Sequence, residues 1–444
     1  MSSAATTPSA LTYDAALSEA GIGPFQKRLF ATFALVWAAD AMQVLAIGFT
    51  AAGIAATFRV SVPEALQTGT SFFAGMLIGA FVFGRLADRY GRRAVLIATV
   101  LIDAAFGIAS AFAPDLAWLL ALRFLTGLGV GGTLPIDYTM MAEFLPANRR
   151  GRWLVAMEGF WAVGTLVVAL VAVVAPALAP DAPWRAIFAI TGIPALIGLV
   201  IRFWIPESPL FLLSQGRTEA AKAVVADVAR INGRTPPSAE LRPAKVTKRP
   251  LSDLLAPAFR RRTVLLLLAW LLVSAAYYGV FVWLPIRFAA QGFTFIRGNL
   301  FLVLVALAQI PGYALAAYGV EVWGRRPTLI GFLILSAAGC LLYGFGASAG
   351  LIAAATLLMS FALLGTWGAL YAFTPEVYPT DLRATGMGTA GAMARLGGLL
   401  APSVMAPIMA TSFTAALVLF SILLLIAAVA AFGIDIETRK RALD

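Results

Sequence analysis

Two charged residues lie inside long apolar stretches of this 444-residue sequence and are its clearest candidates for chemistry. Asp40 and Arg395 each fall near the middle of an apolar run, about 15 Å deep if both runs are helices that start at the same membrane face. A charge inside a bilayer is costly unless it faces a cavity or a partner. An arginine can bind a carboxylate through two hydrogen bonds, and an aspartate removed from water can carry a proton. The pair predicts an ion-coupled site for a carboxylate, with mutual neutralisation of the two side chains as the alternative.

Further acidic side chains lie in other apolar runs. Asp137 and Glu158 are predicted within two turns of the cytoplasmic ends of the fourth and fifth runs. They could relay protons inward, or they could pair with the basic cluster at 149–152. Asp103 in the third run is predicted to be structural.

A set of polar and aromatic side chains in the same runs could contact a solute. The candidates, beside Arg395 and Asp40, are Gln43, Tyr277, Trp367 and Tyr371. Aromatic rings stack on planar molecules, so rings beside an arginine favour an aromatic carboxylate. Aromatic residues are also common at lipid interfaces and helix contacts, which is the alternative interpretation.

The elements that must position these residues are membrane helices. Hydrophobic residues make up 61% of the chain and charged residues 12%, against about 25% charged in soluble domains. A bilayer-spanning helix needs about 20 apolar residues. Runs of that order lie at 29–57, 66–86, 94–112, 117–143, 153–178, 185–205, 263–285, 299–318, 328–346, 350–374, 385–408 and 412–433. We therefore predict an all-α protein of twelve transmembrane helices. Its predicted parts are a tail (1–25), a six-helix bundle (26–206), a linker (207–262), a second six-helix bundle (263–434) and a tail (435–444).

Basic residues and an internal repeat organise these helices. Most of the 33 Lys and Arg residues fall on one side if both termini are cytoplasmic, as the positive-inside rule requires. An offset of 233 positions maps 88–93 onto 321–326, Glu143 onto Glu376 and Trp37 onto Trp270. Such an offset predicts two pseudo-symmetric bundles with a solute site between them near the midplane.

The repeated acids and arginines occur at predicted cytoplasmic helix ends. They are Arg85, Asp88, Arg92, Glu143 and Arg150 in the first half, and Glu321, Arg325, Glu376 and Arg383 in the second. Pairs of this kind could latch the halves together and release them during gating. The alternative is that the arginines serve only as topology anchors.

The composition also excludes several classes of function. The chain has no histidine and one cysteine, Cys340, which argues against disulfides, Cys/His metal sites and Ser-His-Asp catalysis. No lysine follows a glycine, so no Walker A loop for ATP is present, and no nucleic-acid recognition module is apparent. We expect no enzyme activity and no cofactor or metal.

Several motifs carry a family resemblance. The loop Gly84–Arg93 resembles the signature of the major facilitator superfamily between helices 2 and 3. Pro206-Glu207-Ser208-Pro209, and Pro375–Pro379 followed by Arg383, resemble the sugar-porter and organic-ion branches. The segments 39–42 and 123–127 are similar to the synaptic-vesicle-protein-2-like group, which includes bacterial nicotinate and aromatic-acid permeases. Relatives often carry an acid where this chain has Gln43. The resemblance implies the major facilitator fold and transport by alternating access.

Together these features predict a proton-coupled importer of a small aromatic carboxylate such as nicotinate or benzoate. The expected partners are that solute, protons and a lipid bilayer, in a monomer of the bacterial inner membrane. The same fold carrying a sugar, a polyol or an organic cation is the first alternative. A non-transporting receptor is the second, although the 207–262 linker is short for a signalling domain.

Overall fold

The structure, a computed structural model, describes residues 11–197, 201, 203–237, 240–241, 250–290 and 299–438. Within these ranges the regular secondary structure is helical, apart from an isolated β-bridge between Leu11 and Leu241. A helix satisfies its backbone hydrogen bonds within one segment, as an apolar chain in lipid requires. The predicted all-α fold is confirmed. Parts of the predicted tails and linker, at 1–10, 242–249 and 439–444, lie outside the described residues.

The first half, defined here as the residues before 207, contains nine described α-helices. They are α1 (Tyr13–Ala20), α2 (Pro24–Phe58), α3 (Val62–Ala65), α4 (Gln67–Tyr90), α5 (Arg92–Ser110), α6 (Leu116–Glu143), α7 (Ala147–Glu158), α8 (Phe160–Leu178) and α9 (Pro183–Gly192). A 3₁₀ turn, Pro194–Ile197, follows α9.

The linker and the second half, defined as the residues after 262, contribute the remaining described helices. They are α10 (Pro209–Ser214), α11 (Thr218–Ile231), α12 (Arg260–Ala290), α13 (Asn299–Leu307), α14 (Gln309–Val322), α15 (Arg325–Gly344), α16 (Ala349–Phe373), α17 (Thr380–Thr411) and α18 (Phe413–Gly433). Short 3₁₀ turns occupy Leu251–Leu255 and Thr374–Glu376.

Ten helical stretches of the described chain are long and apolar enough to cross a membrane. The two other predicted spans are 185–205, which overlaps α9, and 385–408, which lies within the 32-residue helix α17. The helices are thus consistent with the predicted twelve segments.

Two segments differ from the sequence prediction. The fifth span was predicted to start at 153, but α7 starts at Ala147. Glu158 therefore lies about 17 Å from that start, at the other end of α7, rather than within two turns of the predicted cytoplasmic end. The predicted span 299–318 is divided between α13 and α14. Helix starts shift because the polar residues that precede an apolar run can still be helical.

The outer surface of the helices is apolar. Phe203, Val429 and Phe432 are exposed by 83%, 71% and 68%. Polar and charged side chains such as Asp40, Arg123 and Asp137 are instead almost fully buried. Large exposed apolar surfaces of this kind are unfavourable in water and favourable in lipid.

Helices α4 and α6 approach each other through glycines on both sides. A Cβ atom added at Gly75 or Gly79 would lie 2.1 Å from a backbone carbonyl oxygen of α6. One added at Gly127 or Gly131 would lie 2.0 or 2.1 Å from a carbonyl oxygen of α4. Such distances exclude any side chain, so these glycines set how closely the two helices pack.

We expect Gly127→Ala to destabilise the protein by about 3 kcal/mol or more, because the methyl group would overlap the Phe72 carbonyl oxygen in both rigid helices. The measurement is the melting temperature in detergent. Gly84→Ala, in α4, is the matched control, since a Cβ there meets no atom within 4 Å. A Gly127→Ala protein as stable as Gly84→Ala would contradict the packing described here.

Candidate functional site

Asp40 and Arg395 occupy the midpoints of two long helices. Asp40 is near the centre of the 35-residue helix α2, and Arg395 is at the centre of the 32-residue helix α17. The two side chains interact electrostatically across the two halves of the chain. Counting residues in the sequence predicts equal depth, and the structure adds that the two charges act on each other.

Neither side chain is neutralised by a direct ion pair in the described part of the chain. Asp40 is 1% exposed, and its Oδ2 has no hydrogen-bond partner. Arg395 is partly exposed; one terminal nitrogen donates to the Gly391 carbonyl oxygen at 2.8 Å, whereas its buried Nε has no partner. Buried polar atoms without partners are rare, because each costs about 1–3 kcal/mol. The site therefore retains unused capacity to bind an anion and a proton.

The predicted aromatic residues form one continuous group. The ring centroids of Tyr277 and Trp367 are 5.8 Å apart, and Trp367 is 5.8 Å from Tyr371. The phenol of Tyr371 is within electrostatic range of Arg395, as is that of Tyr278. Tyr371 therefore links the ring group to the arginine, as the interpretation of an aromatic-acid site requires.

Sequence reasoning did not assign two rings of this group, Trp37 and Trp270, to the site. Trp37 and Trp270 lie on either side of Tyr371, with centroids 6.3 and 4.8 Å from it. Trp161 is 6.4 Å from Trp37. The internal repeat could have indicated Trp37 and Trp270, because the 233-residue offset maps one onto the other.

Gln43 is not placed as predicted. Its side-chain Oε1 and its backbone carbonyl each accept a 2.8 Å hydrogen bond from Arg123. Arg123 is also sandwiched at 4.6 Å between the rings of Phe72 and Phe188. Gln43 is therefore held by its own half of the chain, against Gly107 of α5, and this position does not support direct contact with a solute.

Asp137 and Glu158 are both buried and neither pairs with Arg150. One oxygen of Asp137 accepts from the Tyr138 amide at 2.6 Å, and the other has no partner. Glu158 accepts a hydrogen bond from Tyr313 at 2.9 Å. Arg150 instead bonds to Asp14 at 3.3 Å. The predicted relay role of the two acids remains a prediction.

The repeated acid–arginine motifs form equivalent ion-pair trios. Arg92 contacts Asp88 and Glu143, both at 3.4 Å. In the second half, Arg325 contacts Glu321 at 3.4 Å and Glu376 at 3.0 Å. Each trio joins helices within one half. The prediction that these particular pairs latch one half to the other is therefore corrected: they fix helix ends inside each bundle.

Next to each trio lies a further glutamate to which sequence reasoning assigned no contact. Glu207, from the Pro-Glu-Ser-Pro motif, accepts the backbone N–H groups of Arg92 and Arg93 at the start of α5. Glu437 accepts those of Arg325 and Arg326 at the start of α15. A carboxylate at a helix N-terminus satisfies free amides and complements the helix dipole.

The other predicted gating residues are arginines without a trio. Arg85 lies over the ring of Phe81 at 3.8 Å. Arg383 donates to the Pro375 carbonyl oxygen at 2.9 Å, as its counterpart Arg150 does to Leu145 at 3.1 Å. Arg150 and Arg383 interact electrostatically across the halves. Because the two arginines carry like charges, their repulsion would favour separation of the two halves near these residues.

We expect Glu376→Gln to lower stability by about 1–2 kcal/mol and to slow transport about tenfold, because Arg325 loses a two-point ionic contact in a poorly exposed site. Melting temperature and initial uptake rate measure the two effects. Glu321→Gln is the matched control. Its 3.4 Å contact with the same arginine is 56% exposed on the acid side and should contribute little. Equal effects of the two substitutions would argue against a special role for Glu376.

The arrangement as a whole suits the binding of a planar anion. It combines a cation with a free donor, an uncompensated carboxyl group and a group of aromatic rings. Among the described residues, no three His, Cys, Asp or Glu side chains are placed to hold a metal ion.

Comparison with known proteins identifies relatives along nearly the whole chain. Residues 34–444 match the family described as "Sugar (and other) transporter". The niacin transporter NiaP of Acinetobacter baylyi is 36% identical over 427 residues, which cover 95% of this chain and 97% of that protein. The putative niacin/nicotinamide transporter NiaP of Bacillus subtilis is 34% identical, covering 94% and 98%. The synaptic vesicle 2-related protein of Rattus norvegicus is 32% identical, covering 97% and 81%.

Solved structures share the same fold. The xylose transporter XylE from E. coli, in a partially occluded inward-open conformation, superposes with a TM-score of 0.76. The match covers 94% of this chain and 99% of that one at 19% identity. An inward-open form of the same transporter gives a TM-score of 0.74.

Proposed function

Because this chain belongs to the sugar (and other) transporter family of the major facilitator superfamily, a family of membrane transporters rather than enzymes, we propose that it imports a small aromatic carboxylate together with protons. Nicotinate and benzoate are the proposed substrate types. The proposed setting is the bacterial inner membrane, with both termini cytoplasmic and the bundles 26–206 and 263–434 rocking about the site.

The observation that carries this proposal is the environment of Arg395. Its guanidinium group has an unpartnered nitrogen in the middle of a membrane helix and no ion pair to satisfy it in the described chain. A carboxylate would supply the missing acceptor and the opposite charge, through two parallel hydrogen bonds. A sugar would satisfy the hydrogen bonds but leave the charge, and an organic cation would be repelled.

The surrounding rings support a planar, aromatic solute. Trp367, Tyr371 and Tyr277 present aromatic surface beside the arginine, and Trp37 extends it from the other half. Rings of this kind stack or pack edge to face with a substrate ring at about 0.5–1.5 kcal/mol for each pair. The names of two relatives, a niacin transporter and a putative niacin/nicotinamide transporter, agree with this class.

Asp40 is the proposed proton carrier. Its buried oxygen without a partner can bind a proton without breaking an existing hydrogen bond. It lies in the electrostatic field of Arg395, so arrival of a negatively charged substrate at Arg395 would favour protonation of Asp40. Binding of the anion and the proton would then reinforce each other. Asp137 and Glu158 are proposed to take part in moving the proton.

The direct test is uptake of labelled nicotinate and benzoate into proteoliposomes that contain the purified protein. We expect accumulation when the outside is more acidic than the inside, and only equilibration without that gradient. Liposomes without protein, and liposomes treated with a protonophore, are the controls. Failure of both acids to enter would overturn the substrate class and call for a screen of neutral and cationic solutes. Entry without any response to the gradient would overturn proton coupling alone.

A further inference from the structure

One face of the fifth membrane segment makes two hydrogen bonds to the opposite half of the chain. Glu158, at the end of α7, accepts from the Tyr313 hydroxyl of α14 at 2.9 Å. Trp161, at the start of α8, donates from Nε1 to the Tyr277 hydroxyl of α12 at 2.8 Å. Residues three apart lie on the same side of a helix. The two bonds therefore form one polar contact line across the interface between the halves.

The carboxyl group of Glu158 is the titratable member of this line. The residue is 2% exposed, and its Oε1 is buried without a hydrogen-bond partner. The titratable groups that face it are phenols: Tyr313 of α14, Tyr138 of α6 and Tyr371 of α16. No described arginine or lysine forms an ion pair with it. Protonation of Glu158 would thus change the only formal charge at this contact within the described chain.

The backbone at this point allows a close approach of the two halves. A Cβ at the neighbouring Gly159 would lie 3.9 Å from the Tyr313 ring. The Tyr313 ring of α14 therefore lies against the end of α7, where the absence of a side chain at Gly159 leaves room for it. Weakening the hydrogen bond would release this ring from Glu158.

We propose that Glu158 and Tyr313 form a proton-operated clasp between the two halves. This rests on the proposed proton-coupled transport. An ionised Glu158 accepts a charge-assisted bond from Tyr313, which is roughly twice as strong as a neutral one. When a proton binds Glu158, the charge is lost and the bond weakens, so the halves can part at this level. When the proton leaves, the clasp re-forms. Tyr313 acts through Glu158 and is a positioning residue.

The clasp has a different task from Asp40. Asp40 lies in the field of Arg395 and would sense the bound anion. Glu158 interacts with the phenols of Tyr313 and Tyr138 and, of the proposed substrate residues, with Tyr371, so its substitution should change substrate affinity less than substitution of Arg395 would. Coupling and binding can thus be separated by experiment.

The test compares Glu158→Gln and Tyr313→Phe with wild type in proteoliposomes. Glutamine keeps an oxygen for Tyr313 but carries no charge. We expect Glu158→Gln to reduce gradient-driven nicotinate accumulation about tenfold or more, while exchange of labelled for unlabelled nicotinate at equal pH stays within about twofold. Tyr313→Phe should change the pH dependence of accumulation and also spare exchange. Tyr318→Phe is the matched control, since Tyr318 lies on the same helix α14 and is 57% exposed.

A second measurement needs no substrate. The melting temperature of Tyr313→Phe should fall further below that of wild type at a pH above the titration of Glu158 than at a pH below it, because only ionised Glu158 forms the strong bond. Either of two results would overturn the clasp. The first is that both variants accumulate nicotinate, and respond to pH, as wild type does. The second is that the difference in melting temperature is the same at both pH values. If wild type transports no nicotinate but the melting difference depends on pH as expected, the substrate proposal fails and the clasp stands.

Discussion

Replacing Arg395 by alanine is expected to lower kcat/KM for nicotinate uptake about 100-fold or more, because the carboxylate loses its charged, two-point partner inside the membrane. The guanidinium donates to Gly391 of its own helix and forms no ion pair in the described chain, so folding should survive the change. Initial uptake rates over a range of nicotinate concentrations, with melting temperatures on the same samples, measure both expectations.

Arg395→Lys is the control that separates charge from geometry. Lysine keeps the positive charge but cannot form the parallel pair of hydrogen bonds, so an intermediate loss is expected. If alanine and wild type transport equally, Arg395 does not bind the substrate. If both variants lose stability as well as transport, its role is structural.

Asp40→Asn is expected to abolish accumulation of substrate against its gradient while retaining exchange. Asparagine has nearly the same shape as aspartate but cannot take up and release a proton at this position. Accumulation driven by an inward proton gradient should fall about tenfold or more, whereas exchange at equal pH should change only about twofold. The measurement is labelled nicotinate uptake with and without the gradient.

Asp103→Asn provides the matched control for this experiment. Asp103 is also 1% exposed and has an unpartnered oxygen; it interacts with Arg123 inside the first half and also acts electrostatically on Asp40. Because Asp40 itself is kept, Asp103→Asn should retain proton-driven accumulation. Equal losses in both variants would indicate a general effect of removing a buried acid. Full accumulation in Asp40→Asn would exclude Asp40 as the proton carrier.

The Arg123–Gln43 contact bears on the same question of coupling. The side-chain amide of Gln43, which is neutral, and its backbone carbonyl each accept a 2.8 Å hydrogen bond from Arg123. An acid at this position would form an ion pair that could itself exchange a proton. Because Gln43 cannot ionise, Asp40 is the one acid of α2 in the middle of the membrane. The number of protons carried with each substrate should therefore be simpler to measure.

The sequence by itself determined the helical architecture and the depth of the charged residues. Hydrophobic runs of about 20 residues are dictated by bilayer thickness, and a constant rise per residue converts a position such as Asp40 or Arg395 into a depth. The repeat offset also predicted that the Arg92 and Arg325 motifs would have equivalent surroundings. These properties depend on order along the chain alone, so they can be read without knowing how helices are rotated.

The tertiary structure decided which side chains meet. Each residue turns a helix by about 100°, and hydropathy does not fix the rotation of a helix that is apolar on all sides. The sequence therefore could not show that Gln43 faces Arg123, or that Glu158 faces Tyr313 in the other half. It also could not reveal Glu207 as the cap of α5, because that contact joins residues more than a hundred positions apart. Which side chains become partners in a membrane bundle depends on how each helix is rotated about its axis. Only the packed structure gives that rotation.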